Sequence, residues 1–244
     1  MNIGSPPEFG EDSSPPLLTS APVEITRWGL DKTLAEFLQP EVEAIKRKAP
    51  GTITLAVTNF VFRGSMIRFS GPEADFAVKS AILTFLKRKS AKDVDWRKAN
   101  DWQLHAVYEY FWRREDPVTQ LPPGGSVTAA VSLRVGVSKE QANEIATSLG
   151  IASASSNLGS ISAQLSNKWT TKVSLSRQEE ASHTVTLANP SNDAYRRLAI
   201  WHIVHRLSIV AAPTLALDPK VICQETEFVL SDATNITYVD VVRK

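Results

Sequence analysis

The fold is decided by residues 126–137, SVTAAVSLRVGV, in which apolar and small polar side chains alternate. The odd positions are all apolar, and Arg134 is the one charged residue among the even positions. Successive side chains of a β-strand point to opposite faces, so this alternation indicates a strand with one dry and one wet face. We therefore predict an amphipathic strand here whose wet face carries mainly hydroxyl groups.

A second and longer alternation covers residues 161–175, ISAQLSNKWTTKVSL. Its odd positions are mostly apolar, while Ser, Thr, Gln and Lys occupy the even positions. At about 3.3 Å per residue an unbroken strand of this length would measure roughly 50 Å, well above the usual strand of about 5–6 residues. The pattern fits either one strand or two strands joined by a bulge. Residues 181–187 alternate again before Asn189-Pro190 ends the unit.

A short helix is predicted between these two alternating segments. Ser138 is a suitable N-cap, and Gln141 stands three residues later, where it completes a capping box. Gly150 follows the apolar residues of this segment and provides a helix stop. The helix therefore interrupts the alternation at the point where a plain hairpin would have its turn.

The N-terminal half is predicted to be mainly helical. Apolar residues at helical spacing indicate helices over about 32–39, 41–48, 72–89 and 93–114. Residues 52–62 show a period of two instead and are predicted to form a strand. This half therefore reads as helices accompanied by one short β element.

Three segments are predicted along the chain. Residues 1–22 are rich in Pro, Ser and Gly and have few large apolar groups to repay the entropy of ordering, so they read as a disordered leader. The sequence LPPGG at 121–125 is the strongest break signal that follows. We predict a mainly helical α+β subdomain over 23–122 and a β-rich subdomain over 123–244.

The last part of the chain completes the predicted fold. Residues 198–210 are apolar at both parities, which suits a central strand buried on both sides, with a helix as a competing interpretation for the first half. Residues 225–230 and 236–242 are predicted to form a final strand pair. The fold class that follows is α+β, with a helical N-terminal part packed on an antiparallel β-rich C-terminal part that has long Ser/Thr-rich amphipathic strands.

Composition excludes several classes of protein. The net charge of +1 gives no general field for nucleic acid, and a single cysteine, Cys223, excludes an internal disulfide framework and a cysteine-based zinc cluster. No apolar stretch reaches 18 residues. The N-terminus lacks a basic segment followed by an apolar run. We therefore expect a protein that is cytoplasmic or is released by a route without a standard secretory signal.

Hydroxyl side chains are concentrated between residues 126 and 188. This stretch has 19 Ser or Thr in 63 residues and a single aromatic residue, Trp169. Moving a small hydroxyl group out of water costs less free energy than moving a charged group. Strands that carry hydroxyl groups can therefore lie in water, against another strand or in a lipid-bounded barrel. In composition the stretch resembles the amphipathic strands of β-pore-forming toxins of the aerolysin kind. The resemblance implies strands that reorganise in a membrane as the protein oligomerises.

Two groups of candidate residues follow from these patterns. The candidate membrane or rearranging strands are marked by their apolar positions: Val127, Val131, Leu133, Val135, Ile161, Leu165, Trp169, Val173 and Leu175. A basic run with an aromatic neighbour is the candidate contact for a partner or a lipid headgroup: Lys87, Arg88, Lys89 and Trp112.

Catalytic and metal-binding chemistry has little support in the sequence. His202 and His205 would share a face on a helix and could then bind a metal, whereas on a strand they point to opposite faces. No histidine or carboxylate stands near them to complete a metal site. The chain also lacks a recognisable set of acid, base and nucleophile. We expect no enzymatic activity, no cofactor and no metal.

The sequence leads to two hypotheses about function. The first is a membrane-active, pore-forming-toxin-like protein, with pesticidal activity included, whose amphipathic strands rearrange on oligomerisation. Its expected partners are a membrane surface or receptor and further copies of the chain, and no nucleic acid. The alternative is a non-enzymatic binding or protein-interaction module built on a static β-sheet.

Overall fold

The structure is a computed structural model that describes residues 4–37, 59–60, 67–70, 94–95, 101–115, 117–151, 157–214, 217, 221–231 and 233–241. Eleven strands and two longer helices lie within these residues, together with a helical turn over 34–37. In chain order the elements are β1 Val23–Thr33, β2 Asn59–Phe60, β3 Ile67–Ser70, β4 Val94–Asp95, β5 Gln103–Arg114, β6 Thr119–Leu121, β7 Ser126–Val135, α1 Lys139–Ser148, α2 Leu158–Trp169, β8 Glu179–Ala188, β9 Tyr195–Ala212, β10 Val221–Phe228 and β11 Thr234–Val241.

The long strand β9 is the spine of the main sheet. On one side it pairs antiparallel with β5, from Gln103 opposite Ala212 to Arg114 opposite Trp201, and β6 continues along the same side. On its other side β10 and β11 pair with it one after the other. Strand β1 adds to the outer edge of β5. The result is an antiparallel sheet four strands wide. On each side of β9 two successive strands share the neighbouring position, β5 and β6 on one side and β10 and β11 on the other.

The two faces of this sheet have different covers. Directly opposed residues of an antiparallel pair lie on the same face, so Tyr108 and its partner Leu207 define one face, and Phe111 and its partner Val204 define the other. The face with Tyr108 packs against α1 and α2, and we call it the helix face. The opposite face packs against β7 and β8 through Leu198, and we call it the ribbon face.

Strands β7 and β8 form a separate two-stranded sheet, which we call the ribbon. They pair over ten residues, from Ser126 opposite Ala188 to Val135 opposite Glu179. The apolar side of the ribbon packs on the main sheet in one buried cluster, made of Leu121, Val131, Leu133, Leu187, Leu198 and Ile200. The ribbon is therefore held to the main sheet chiefly by side-chain packing.

Helices α1 and α2 form a cap on the helix face. The predicted capping box is present, since the Ser138 hydroxyl accepts from the Gln141 N–H and the Gln141 side chain accepts from the Ser138 N–H. Asn157 caps α2 in the same way by accepting from the Ser160 N–H. The most buried apolar residues of the cap are Ile145 of α1 and Ile161 and Leu165 of α2.

The chain passes from the ribbon to the cap at Gly136. The Gly136 N–H donates to the Val229 carbonyl at 2.8 Å, beside the interruption between β10 and β11. Gly136 has a φ of +95°, and a Cβ at this position would lie 2.6 Å from the Arg177 carbonyl oxygen. Outgoing and returning segments therefore cross the edge of the sheet in close backbone contact, which only glycine permits.

Residues 4–22 lie along the sheet beyond the start of β1. The Trp112 indole N–H donates to the Gly4 carbonyl at 2.8 Å, and the Trp112 backbone N–H donates to the Ser20 hydroxyl at 2.9 Å. Phe9 packs against the cluster that contains Trp112 and Trp201. Strand β5 of the predicted first subdomain pairs with β9 of the predicted second one. The division into a leader and two subdomains stays a prediction.

The predicted fold class is wrong. The described chain is mostly β with a curled antiparallel sheet, and it is not a helical N-terminal part packed on a β part. The helix predicted over 93–114 is instead β4 and β5 where it is described. Strand β5 is buried at both odd and even positions. Its residues on the helix face pack in the cap cluster, and Phe111 on the ribbon face packs with Val204 and Val229. A strand buried on both sides has no period of two to distinguish it from a helix.

The strand predicted over 161–175 is also wrong, because residues 158–169 are helix α2. Leu158, Ile161, Leu165 and Trp169 recur at helical spacing and all pack in the cap cluster. The serines between them bond to the following segment: the Ser166 hydroxyl accepts from the Val173 N–H, and the Ser162 hydroxyl accepts from the Leu175 N–H. The sequence fits both periods, and the tertiary contacts select the helix.

Other predicted elements have mixed outcomes. The strand over 126–137, the helix after Ser138 and the central strand over 198–210 are confirmed. The final strand pair is wrong in its pairing, since β10 and β11 each pair with β9. Residues 32–39 end β1 and continue as a helical turn where they are described. The helices predicted over 41–48 and 72–89, and most of the strand predicted over 52–62, lie outside the described residues.

Replacement of Gly136 by alanine tests the crossing. We expect Gly136→Ala to lower the free energy of unfolding by about 2 kcal/mol or more, because it adds a left-handed non-glycine residue and a close contact with backbone. Gly29→Ala is the matched control in β1, where a Cβ meets nothing within 4 Å. Urea denaturation of both variants measures the effect, and equal stabilities would contradict the close crossing.

Candidate functional site

The outer side of the ribbon is a hydroxyl-coated surface. Its cross-strand pairs include Thr128 with Thr186 and Ser132 with Ser182, and these side chains are exposed. Residues 126–133 and 181–188 contain no Asp, Glu, Lys or Arg. Eight consecutive cross-strand pairs are therefore free of formal charge on both sides of the ribbon, and His183 is their one titratable residue.

The inner side of the ribbon is apolar apart from the position of His183 opposite Val131, and Val127 is the most exposed of its valine and leucine residues. Val127 is 38% exposed, whereas Val131 is 5% and Leu133 is 6% exposed. On the facing strand Leu187 is 1% exposed. Burial of such a side chain contributes about 1.5–3 kcal/mol, so this packing anchors the ribbon.

Both long edges of the ribbon are unpaired in the part of the chain that the structure describes. Strands β7 and β8 pair along their length only with each other, and β7 meets the main sheet at its last residue through a bridge between Val135 and Val229. Unpaired strand edges are templates for pairing with another chain. An isolated two-stranded ribbon is also marginal in water, so this ribbon depends on its inner packing.

The base of the ribbon is fixed by one buried amide. Asn189 is 2% exposed, and its Nδ2 lies 3.2, 2.9 and 2.8 Å from the carbonyl oxygens of Leu121, Pro122 and Ala194. Its Oδ1 accepts from the Ser191 N–H at 3.1 Å. The Asn189 side chain thus joins the turn that enters β7 to the turn that leaves β8.

Charged groups begin at the other end of the ribbon. Arg134 stands opposite Glu180, and the Glu180 carboxylate accepts from the Ser132 hydroxyl at 2.6 Å. Beyond Gly136, a half-open cavity of about 920 Å³ lies between the starts of α1 and α2, with Lys139 and Arg177 in its lining. This end of the ribbon is therefore polar, in contrast to the neutral stretch between it and the base.

His205 of β9 lies on the helix face under the cap. It is 5% exposed, and the Tyr108 hydroxyl is 3.1 Å from its Nδ1. The rings of Trp169 and Phe228 have centroids 5.6 and 5.8 Å from the imidazole. Burial lowers the pKa of His205 to about 4 and raises the pKa of Tyr108 above its usual value. Both side chains are therefore neutral at pH 7.

His202 of β9 lies on the ribbon face, opposite to the helix face on which His205 lies. The two histidines therefore do not share a face. Its Nδ1 is 2.8 Å from the Glu115 Oε1. Burial first, and then the Arg113 guanidinium, lower the pKa of His202 to about 4. The contact with Glu115 is therefore made by a neutral imidazole at pH 7, and His202 and His205 cannot bind one metal between them.

The structure divides the predicted membrane residues into two groups. Those in the first alternation lie on the inner side of the ribbon, as alternation predicted: Val127, Val131, Leu133 and Val135. Those in the second alternation lie in the cap cluster on the opposite face of the main sheet: Ile161, Leu165, Trp169, Val173 and Leu175. The two groups are therefore not neighbours on one strand pair.

The predicted contact surface is also placed only in part. Trp112 is 8% exposed and packs beneath residues 4–22 on the main sheet. Lys87, Arg88 and Lys89 lie outside the described residues. No residue of β8 was among the predicted site residues, although the alternation over 181–187 and its two threonines were the signal for this strand.

Two other features are absent from the described residues. No described helix is both long and apolar enough to cross a bilayer. Among the same residues, no three or more side chains of His, Cys, Asp and Glu are grouped as a metal site would require. The candidate site is therefore a surface and its packing, with the ribbon as its central feature.

Comparison with known proteins gives little further information. No protein-family model matches this chain, and no curated protein matches it. The solved structures that match include the crystal structure of Cry35Ab1, with a TM-score of 0.46 and 11% sequence identity. That match covers 90% of this chain and 47% of the other. The chain thus spans about half the length of Cry35Ab1, and a likeness at this TM-score supports no inference about function.

The amide at the base of the ribbon gives a direct test of how the ribbon is held. We expect Asn189→Ala to lower the free energy of unfolding by about 2–3 kcal/mol, since it leaves buried carbonyls without a donor. Asn192→Ala, at an exposed position of the same turn, is the control and should change stability by less than about 0.5 kcal/mol. Urea denaturation followed by circular dichroism measures both, and a neutral Asn189→Ala would contradict this role.

Proposed function

We propose that this chain is a membrane-active, pore-forming-toxin-like protein without enzymatic activity, whose ribbon leaves the main sheet and enters a bilayer as copies assemble. The observation that carries the proposal is the ribbon of β7 and β8, with one side apolar except at His183, one hydroxyl side and eight charge-free pairs. Its surroundings would be a membrane surface or receptor and further copies of the chain, after release by a route without a standard secretory signal.

The length of the ribbon supports membrane entry. Each strand has ten residues, which at about 3.3 Å per residue give roughly 33 Å. A tilted strand that crosses a bilayer has about 9–11 residues, and the hydrocarbon core is about 30 Å thick. The ten-residue strands thus have about the length that a bilayer requires, and their neutral part of eight pairs is slightly shorter.

The polarity of the two sides supports the same proposal. In a membrane the apolar inner side would face lipid and the hydroxyl side would face water, which is the alternation that spanning strands use. A Lys or Arg facing lipid at the bilayer centre costs about 2–4 kcal/mol. Arg134, Glu179 and Glu180 all stand at one end, so they would lie near a membrane surface.

The attachment of the ribbon supports its release as one unit. Its backbone pairs internally, so movement away from the main sheet would break few backbone hydrogen bonds. The apolar contacts of Val131, Leu133 and Leu187 would be replaced by contacts with lipid tails. The unpaired edges of β7 and β8 would pair with the ribbons of neighbouring copies, which explains why oligomerisation belongs to the proposal.

The segment that connects the two strands has a neutral centre. Residues 145–167 contain no Asp, Glu, Lys or Arg, and the charged residues of this connection lie on either side of that stretch. Passage of the connection across a bilayer is therefore less costly than for a segment of average composition. It also requires the cap to separate from the helix face, because the Gly136 crossing joins ribbon and cap.

A static binding module is the second candidate function. The observation in its favour is the complete burial of Leu187 and the near-complete burial of Val131 and Leu133 in an ordinary core. In that case the hydroxyl side of the ribbon would be a fixed contact surface for another protein. The two candidates differ in whether the ribbon must move, and a covalent lock separates them.

A disulfide between ribbon and main sheet is expected to abolish pore formation. Val135 and Val229 are bridge partners, so Val135→Cys with Val229→Cys, in a Cys223→Ala background, ties the ribbon to the edge of the sheet. We expect leakage of dye-loaded liposomes to be lost in the oxidised protein and restored by reductant. Ser132→Cys with Ser182→Cys is the matched control, because it links the ribbon only to itself and should leave leakage intact.

Two results would contradict the membrane proposal. One is full leakage by the oxidised Val135–Val229 variant, which would show that the ribbon does not leave the sheet. The other is an absence of leakage and of lipid-bound oligomers with the unmodified protein across neutral and anionic liposomes. The second outcome would favour the static binding module, whereas the first would leave a membrane-active protein whose ribbon stays on the sheet.

A charge on the hydroxyl side is expected to change ion selectivity without preventing pore formation. Thr184 stands opposite Ala130 near the middle of the ribbon and is exposed. We expect Thr184→Lys to shift the reversal potential in planar bilayers toward anions and Thr184→Glu to shift it toward cations. Equal reversal potentials for the two variants would contradict a water-facing position of this side.

A further inference from the structure

His205 lies where the cap meets the main sheet. Three of its aromatic neighbours come from three different elements, namely Tyr108 of β5, Phe228 of β10 and Trp169 of α2. Phe228 stacks on the imidazole at an interplanar angle of 19°. Any change in the charge of His205 therefore acts on the contact that joins α2 to the sheet.

Trp169 is the residue of the cap that closes this site. Its ring meets Tyr108 edge to face, with centroids 5.0 Å apart, and it is partly exposed at the end of α2. The helix ends directly after it, at Thr170, which has a φ of +55°. The lid over His205 is thus the last turn of a helix, which is easier to open than the sheet beneath it.

The sheet side of the site is far more strongly held than the cap side. Strand β9 is paired on both sides around His205, to Tyr110 of β5 and to Phe228 of β10. The cap is joined to the sheet by side-chain packing and a few hydrogen bonds, such as that from the Thr226 hydroxyl to the Glu144 carboxylate at 2.5 Å. A positive charge on His205 therefore weakens the attachment of the cap before it weakens the pairing of the sheet.

We propose that acidification releases the cap of α1 and α2 from the helix face by protonating His205. The released state places the imidazolium in water, whereas the closed state holds it among aromatic rings. The aromatic faces offset part of the lost hydration by cation–π attraction, and the Tyr108 hydroxyl can turn to accept from a protonated Nδ1. Neither contact replaces the full hydration of a buried cation.

Among the described residues, no carboxylate forms an ion pair with His205, and burial is the one cause of its lowered pKa. The charged and titratable residues of the packed elements are His105, Tyr108, Glu109, Tyr110, Arg113 and Arg114 of β5, Tyr195, Arg196, Arg197, His202 and Arg206 of β9, Cys223, Glu225 and Glu227 of β10, Glu24, Arg27, Asp31 and Lys32 of β1, Lys139, Glu140 and Glu144 of α1, and Lys168 of α2. Glu109, Arg206, Glu225 and Glu227 are assigned to the ribbon face by their register. Glu144 is bonded to Thr226, and Lys168 lies over the Trp28 ring.

The direction of the pH effect follows from the buried, neutral state of His205. The pKa of His205 is about 4 in the closed state, and a solvated histidine has a pKa of about 6.5. Above pH 6.5 both states are neutral and the equilibrium is unaffected. Between pH 6.5 and pH 4 only the released state gains a proton, so closure weakens as the pH falls. At pH 4.5 the shift in the equilibrium is roughly 80-fold.

Release would also free a segment that fits a second structure. Residues 161–175 carry a period of two beside their helical period, so the same residues can extend a strand once the cap contacts are gone. This consequence rests on the proposed function, because the extended segment would lengthen the ribbon at a membrane. The release itself does not depend on lipid and can be measured without it.

Hydrogen exchange in solution tests the release. Protection factors of α2 and β9 peptides, corrected for the intrinsic effect of pH, are compared at pH 7 and pH 4.5. We expect protection of α2 to fall by roughly 80-fold and protection of β9 to fall much less. In His205→Phe, which keeps an aromatic ring but cannot titrate, the protection of α2 should be nearly equal at the two pH values.

Further variants separate His205 from other sources of acid sensitivity. His202→Phe removes the buried histidine of the ribbon face and should leave the pH dependence of α2 unchanged. Tyr108→Phe removes the hydroxyl next to His205 and should also leave the pH dependence of α2 unchanged. If His205→Phe does not fold, His205→Gln provides a second residue without titration in this range.

Three outcomes would overturn the inference. They are an unchanged pH dependence of α2 in the folded His205 variant, no loss of α2 protection in the unmodified protein, and equal losses in α2 and β9, which would indicate global acid unfolding. Liposome leakage is measured separately. A protein that releases its cap at pH 4.5 but never permeabilises liposomes would contradict the proposed function and leave the acid-driven release intact.

Discussion

The structure depends on the pairing of β9 along both of its edges. Its 18 residues hold β5 and β6 on one side and β10 and β11 on the other, so every other described part of the main sheet is positioned by this strand. Because both faces of β9 are covered, each face can carry a different layer. The ribbon occupies one face and the helical cap occupies the other.

The two layers are attached in a different way from the strands of the sheet. Backbone hydrogen bonds join the sheet, whereas apolar packing joins the ribbon and the cap to it. Packing of this kind contributes several kcal/mol in total. Because it is not directional, the same side chains can be buried against other apolar surroundings. The proposed separation of the ribbon and the cap would leave the hydrogen-bonded sheet intact for this reason.

Gly136 and Asn189 limit how those layers can move. Gly136 joins ribbon to cap in close backbone contact at the edge of the sheet, and Asn189 ties the two turns at the base of the ribbon. The ribbon is therefore held at its base by side-chain hydrogen bonds and at its far end by the crossing. Any movement of the ribbon would therefore be coupled to opening of the cap through the chain itself.

The sequence by itself determined the elements with a single consistent pattern. The alternation over 126–137, the capping box at Ser138 and the doubly apolar segment over 198–210 each favoured one structure, and each is confirmed. Tertiary structure decided the segments whose patterns fit two structures. Strand β5 is apolar at both parities because it is covered on both faces, and α2 carries two periods at once, so only contacts with the rest of the fold could select between helix and strand. The pairing of β7 with β8 was likewise fixed by packing on the sheet, since it joins residues that the intervening helices separate in the chain.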